Sequence, residues 1–449
     1  MAHEPPKHLL DVLAVLDFEE ALGPDDPRYV ETEQARGSER TLDRLARKFG
    51  LQLSDGRFVP PTQRHVLFFG HIGSGKTTEL RRYAKTLSGR DRFFVVEVDI
   101  STELDRNNLQ YADTLMALAR VLFDRLEAAG VVVDATALDP LERWFSERVL
   151  TDESGKELSA GLDAGIAAKH GVPFLMSLFA KFTMALKTNV TYKDSLRHVV
   201  RNTFSQFADA FNSFLLRAET ALAEQGLGQR FLFIIDGTDK LRGEDTGRFF
   251  VHDAEQLLAV QARVLYTAPL SLKYEGNLTT KLDADLMLPM IKLHEPGGAP
   301  FPVGTQTMRE ILLRRADRSL FASDAEIDTL VQHSGGHPRE LLRLLKLCCE
   351  YSETNRIDAK TADQAVRKLA SEYRRFLEPE DYALLADIDR GGAHTGNDDR
   401  VRRLLYYLAL LEYNDGEWRR SHPVVRLLDG YKAAAAKPTG RARAPRSRR

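Results

Sequence analysis

The sequence predicts an α/β chain: a three-layer arrangement with a parallel sheet between helices, a helical insertion, an α-helical lid and a C-terminal winged helix. Three observations lead there. Unbroken apolar runs at Val66–Phe69, Phe93–Val96, Phe231–Ile235 and Val264–Tyr266 read as strands buried on both faces, the pattern of a covered parallel sheet. The segment Gly70-His71-Ile72-Gly73-Ser74-Gly75-Lys76-Thr77 fits G-x-x-x-x-G-K-[ST] between a strand and a helix start. Short amphipathic helices around Ser334-Gly335-Gly336-His337-Pro338-Arg339 follow the last strand.

With 449 residues, the chain is long enough for two or three domains. We divide it into an N-terminal helical region (1–60), a core (61–300) with an insertion at about 105–228, a lid (301–377), a winged helix (378–430) and a disordered basic tail (431–449). In the first region Glu31–Phe49 reads as a helix ending at Gly50, before the break at Pro60-Pro61. The composition, 43% hydrophobic and 29% charged, is that of a globular chain. No apolar run approaches a membrane span: Val172–Leu186 holds Lys181 and is too short. The two cysteines, Cys348 and Cys349, are adjacent on a predicted helix. They suit neither a disulfide framework nor a zinc site, and point to a reducing, cytoplasmic compartment.

The glycine-rich segment is a phosphate cradle, a P-loop. Gly70, Gly73 and Gly75 let the chain wrap closely, so that backbone N–H groups from Gly73 through Ser74, Gly75, Lys76 and Thr77 to Thr78 point at phosphate oxygens at a helix N-terminus. Lys76 would reach the β- and γ-phosphates and the Thr77 hydroxyl would ligate Mg²⁺. The expected ligands are ATP and Mg²⁺. Far downstream, Phe231–Ile235 ends in Asp236, a carboxylate placed to support Mg²⁺ through water. Asp239 follows three residues later and either orients or deprotonates the attacking water or caps a helix. Thr267, at the end of the next strand, is a candidate γ-phosphate sensor or simply a strand residue, since ligands of open α/β sheets bind outside the carboxyl ends of strands.

The pair GHIGSGKT and FIIDGTDK resembles the additional-strand P-loop ATPases, the branch with AAA+, STAND and KAP proteins; the likeness covers roughly residues 60–375. AAA+ members usually carry Asp-Glu at the strand end. Here Gly237 takes the second place and Asp239 follows, which looks more like the Asp-Gly-x-Asp pattern of STAND and NACHT ATPases. That resemblance implies slow hydrolysis and a switch, acting through a homo-oligomer or an effector protein. Gly336-His337-Pro338 resembles the Gly-x-Pro motif of STAND lids and the sensor-2 position of origin-recognition-type ATPases, which makes Arg339 a phosphate-facing catalytic candidate. Arg314 and Arg315 are weaker candidates for reaching a neighbouring subunit. The alternative function is a DNA-handling ATPase of the origin-recognition or transposition-loader kind.

In the insertion, Val200, Phe204, Phe207, Phe211, Phe214, Ala218 and Ala221 alternate spacings of four and three, a seam for one long helix packed on its own domain or paired with a partner. A second stripe runs Phe174, Leu175, Leu178, Phe179, Phe182, Leu186. Lid helices are expected at about Gln306–Ala316, Ala325–Gln332, Arg339–Glu350 and Ala359–Phe376. The winged helix follows, with helices near Glu380–Asp389 and Val401–Glu412 and a hairpin turn at Asn414-Asp415-Gly416.

Residues 378–430 hold eleven acids and seven Lys or Arg, a net of −4. A DNA reader needs a basic face, so protein contact is the expected role, with Arg400, Arg402, Arg403, Arg419 and Arg420 as a local patch. The tail Tyr431–Arg449 carries seven Lys or Arg and no acid. Any DNA binding is therefore expected to be weak, non-specific and confined to it.

Overall fold

The computed structural model describes residues 3–37, 40–62, 64–104, 109–149, 171–188, 190–241, 244–274, 278, 282–392 and 398–437. A small hairpin, β1 (Leu51–Gln52) and β2 (Arg57–Phe58), precedes the main sheet. The sheet comprises β3 (His65–Gly70), β4 (Phe93–Asp99), β5 (Arg230–Asp236), β6 (Arg263–Pro269) and β7 (Asp283–Met287). All its pairings are parallel and the order is β4-β5-β6-β3-β7. β6 is thus wedged between the strand that leads into the P-loop and the strand that ends in Asp236.

The unbroken apolar runs follow from burial on both faces. Val66, Phe68, Leu232, Ile234 and Leu265 join Leu80 and Ala84 of the Lys76–Leu87 helix in one core. Leu67, Phe69, Val96, Phe231 and Phe233 join the insertion helices in the other. Each such side chain contributes about 1.5–3 kcal/mol by leaving water. The three layers are N-terminal helices with the P-loop helix, the sheet, and the insertion.

The insertion helices are Tyr111–Ala128, Ala135–Trp144, Val172–Thr188, Val190–Asn202 and Phe204–Glu224. The seam expected on one helix is divided by a break at Thr203, whose hydroxyl accepts from the Trp144 indole N–H at 3.1 Å. Phe207, Phe211 and Phe214 are fully buried, with Phe207 against Trp144 and Phe214 against Phe123. They pack on their own domain. In the second stripe Leu175, Leu178 and Phe179 are buried, while the side chains of Phe182 and Leu186 lie outside the described residues. A buried ion pair, Arg197 Nε to Asp113 Oδ1 at 2.9 Å, ties two insertion helices together. No helix among the described residues is long and apolar enough to cross a membrane.

Four lid helices appear at Pro302–Leu313, Asp324–Ser334, Pro338–Tyr351 and Ala359–Tyr373. Cys348 and Cys349 are buried free thiols on the third. The region expected to be a winged helix has helices Pro379–Asp389 and Asp399–Tyr406, then antiparallel β8 (Leu410–Tyr413) and β9 (Trp418–Ser421).

Three further sequence expectations need correction. Glu31–Phe49 is not one helix: Glu33–Arg36 ends at Gly37 with φ 70°, and Thr41–Lys48 starts anew. The expected helix Val401–Glu412 stops at Tyr406, because Leu410–Tyr413 is claimed by pairing with β9. The tail is not disordered from Tyr431: a helix runs Asp429–Ala435, and the Tyr431 hydroxyl donates to Asp389 Oδ2 at 2.5 Å. Residues 438–449 lie outside the described residues.

Candidate nucleotide site

The P-loop is built as its motif demands. Gly73 and Gly75 take φ 84° and 101°, which L-residues rarely adopt. Gly75 then caps the Lys76–Leu87 helix, and Glu79 N–H closes its first turn on Gly75 O at 3.1 Å. A Cβ on Gly70 would stand 3.2 Å from Ser74 Oγ and 3.1 Å from Leu288 O. The loop therefore wraps a space with little room for side chains, and Ser74 Oγ is buried there without a hydrogen-bond partner. A narrow cradle with an orphaned hydroxyl suits phosphate oxygens.

Lys76 is 4% exposed. Its ammonium donates to Gly70 O and His71 O, each at 2.9 Å, and pairs with Asp239 Oδ2 at 2.7 Å. Thr77 Oγ1 donates to Asp236 Oδ2 at 2.7 Å, so the two oxygens proposed for Mg²⁺ adjoin. Asp236 is the last residue of β5. Burial pushes its carboxyl up, and nearby Asp239 adds to that. For Asp239 burial alone would do the same, but the Lys76 charge outweighs it and the carboxyl is held low.

Asp239 lies within a 3₁₀ turn, Thr238–Lys240, whose N-cap is Gly237 at φ 87°. It does not cap a helix. Thr267 Oγ1 donates to Asp239 Oδ1 at 3.4 Å, and Thr238 Oγ1 donates to Thr267 O at 2.5 Å. Thr267 thus touches the acid in the turn that follows the neighbouring strand. The Thr78 hydroxyl accepts from Leu22 N–H at 3.2 Å, binding the N-terminal segment to the P-loop helix.

Arg339 is on the first turn of the Pro338–Tyr351 helix, with its guanidinium against the P-loop: a Cβ on Gly73 would lie 2.7 Å from Arg339 Nε. Its Nη2 donates to Glu19 Oε2 at 2.6 Å. The preceding turn needs its glycine, since a Cβ on Gly336 would meet Ile291 O at 1.9 Å. His337, fully buried, has Nε2 3.0 Å from Ile72 O, and its Nδ1 accepts from Glu340 N–H at 3.2 Å. Burial holds its pKa well below the ordinary histidine value. Neutral, with the proton on Nε2, it donates to the P-loop.

Arg315 does not face outward toward a neighbour. It lines a cleft of about 90 Å³ together with Phe18, Leu22, Tyr29, Gly75 and Arg339, and donates to Ile311 O at 2.8 Å. Burial pushes it down to about 10. Arg314 is exposed and donates to Pro27 O at 3.1 Å.

Sequence reasoning missed two residues that fix the loop. Arg36 is 2% exposed; its Nη2 donates to Ser74 O at 2.8 Å, Nη1 to Pro289 O at 2.5 Å and Nε to Thr32 Oγ1 at 2.8 Å. Glu79, pushed up to about 6 by burial with Arg36 opposing, is the neighbouring carboxylate. We expect Arg36→Ala to cost about 3–5 kcal/mol of stability by stranding these acceptors. Urea unfolding checks this; a loss under about 1 kcal/mol would remove Arg36 from the loop's support.

The second residue is His71, at a variable position of the motif. Its Nε2 accepts from Glu412 N–H of β8 at 2.9 Å, while the Tyr413 hydroxyl donates to Gly335 O at 2.7 Å. β8 is thereby bonded to both the P-loop and the lid turn. Burial, reinforced by the Lys76 charge, lowers His71 to about 3. The motif pattern carries no signal for this role.

Four of the five arginines of the expected patch are engaged internally. Arg400 and Arg403 both pair with buried Asp381, at 3.0 and 2.6 Å. Arg402 donates to Tyr274 O at 3.4 Å and pairs with Asp399. Arg419 pairs with Glu412 at 2.8 Å. Arg420 differs: its backbone pairs with Leu411 in the hairpin, but its side chain has no hydrogen bond or ion pair among the described residues.

The sequence matches no family model and no curated protein. Among solved structures the chain is similar to the ORC1 protein of Aeropyrum pernix in complex with DNA, at 15% identity over 89% of this chain and 80% of that one, TM-score 0.35. It is similar to the Walker-type ATPase PABY2304 of Pyrococcus abyssi, at 12% identity over 92% and 99%, TM-score 0.39. A third is Cdc6p from Pyrobaculum aerophilum, at 12% identity over 91% and 82%, TM-score 0.35.

Proposed function

We propose that the protein binds Mg²⁺·ATP and hydrolyses it slowly, as a nucleotide-dependent signalling or assembly switch. The convergence of Lys76, Thr77, Asp236 and Asp239 at one end of the sheet carries this reading. Lys76 and the N–H groups of Gly73–Thr78 would hold phosphates, and Thr77 with Asp236 would hold Mg²⁺. The ion, when bound, neutralises phosphate charge. Asp239 stays ionised beside Lys76 and so accepts a hydrogen bond from water, but a low pKa makes it a weak base. It would orient more than deprotonate, which agrees with slow turnover. Thr267 would fix its rotamer. Arg339, facing Gly73, is the in-chain group that would sense phosphate.

A switch requires that the γ-phosphate favour one state over another through differential contacts. The bonds from β8 to His71 and from His337 to Ile72 supply elements whose arrangement the loop would bias. We expect slow phosphate release and a larger particle with a non-hydrolysable ATP analogue than with ADP. Identical sizing profiles in both nucleotides at micromolar protein would reject the switch.

The second reading is a DNA-handling ATPase of the origin-recognition kind, and the solved structures named above sit nearer to it than to a signalling ATPase. On this chain the arginines of Asp399–Tyr406 are satisfied by acids, so that helix offers little to a phosphate backbone until those pairs open. DNA-stimulated phosphate release would select this reading over the first.

A further inference from the structure

Between the lid and the wing hairpin lies a cleft of about 170 Å³, many times the roughly 10–15 Å³ that one water needs. Its polar lining includes His294, Gln332, His333, Trp418, Arg420 and Arg426, and no carboxylate. That is unexpected beside a winged helix whose net charge is −4. Arg426 is tied to Ser421 O at 2.6 Å and Asp389 at 3.3 Å. Arg420 has no ion pair among the described residues. The Trp418 indole N–H and His294 Nδ1 are both buried without a hydrogen-bond partner, and buried polar atoms seldom remain so. His294 Nε2 already meets Gln332 Oε1 at 3.0 Å.

We propose that this lid–wing cleft binds a phosphate group, with Arg420 supplying the charge and the Trp418 N–H a directed donor. A guanidinium and an indole N–H both donate hydrogen bonds, which suits an oxyanion. The phosphate could come from a nucleic-acid backbone or from free phosphate. The cleft uses no P-loop residue, so it stands apart from the nucleotide reading.

The test is tryptophan emission of the full chain, with the nucleotide site filled by Mg²⁺·ADP, during titration at fixed ionic strength. One arm uses inorganic phosphate and the other a short single-stranded DNA. The chain has only two tryptophans, so Trp418→Phe separates the cleft signal from that of Trp144. We expect a saturable change, at least tenfold weaker in Arg420→Ala and lost in Trp418→Phe. Saturation by DNA at lower concentration assigns a backbone phosphate; saturation by phosphate alone assigns the free anion. No saturable change in either arm, or one indifferent to Arg420→Ala, overturns the proposal.

Discussion

Lys76→Ala is expected to abolish the thermal stabilisation that Mg²⁺·ATP gives the wild-type protein. A ligand present at a hundred times its dissociation constant adds about 2.7 kcal/mol to the folded state, and that whole increment should vanish. The reason is positional. The ammonium is held among Gly70 O, His71 O and Asp239 at the mouth of the loop, where phosphate oxygens would replace the carbonyls as partners. Removing it also strands buried Asp239, so the variant should melt lower without nucleotide. The increment on adding ATP, measured by differential scanning fluorimetry, is therefore the informative quantity. Lys76→Ala/Asp239→Asn should recover basal stability but not the increment. Equal ATP-induced shifts in wild type and Lys76→Ala would refute the nucleotide site.

The second large effect separates the two acids at the end of the sheet. Asp236→Ala should lose Mg²⁺-dependent affinity, because Thr77 Oγ1 would lose its carboxylate partner at 2.7 Å and the ion its support. Asp239→Asn should keep binding, since an amide can still accept from Thr267 and Lys76, yet lower hydrolysis by about 10²–10⁴-fold. Nucleotide affinity by equilibrium titration and phosphate release under single turnover distinguish them. Phosphate release by Asp239→Asn at the wild-type rate would assign that acid to holding Lys76 in place and nothing more.

What the sequence discloses about this site is what local chain geometry dictates. The P-loop, the strand ending in Asp236 and the Asn414-Asp415-Gly416 turn are each written in a few consecutive residues. Positive φ at Asn414, Asp415 and Gly416 is what such a turn requires. Arg36 was hidden for the opposite reason. Its partners, Ser74 and Pro289, are 38 and 253 residues away, and nothing around Arg36 distinguishes it from a solvated helix residue.

The misreading of Val401–Glu412 has a physical cause as well. Val401, Leu404, Leu405, Leu408 and Leu411 keep helical spacing, but Leu408 sits at φ 61° and breaks the helix. From Leu410 onward the backbone pairs with β9 instead. Local periodicity lost to strand pairing that the hairpin turn itself imposes.

The placement of β8 limits how this protein can be dissected. One short strand serves three parts of the molecule. Its Glu412 N–H meets His71 of the P-loop, its Tyr413 hydroxyl meets the lid turn, and the Glu412 carboxylate accepts from Tyr274 beyond β6 at 2.5 Å. A chain cut after the lid would bare Met290, which clusters with Leu411 and Tyr413, and take from the His71 ring its Glu412 N–H donor. The parallel-sheet core and the C-terminal hairpin region are packed as one unit. Shortened versions should be judged first as folding variants, and only then as functional ones.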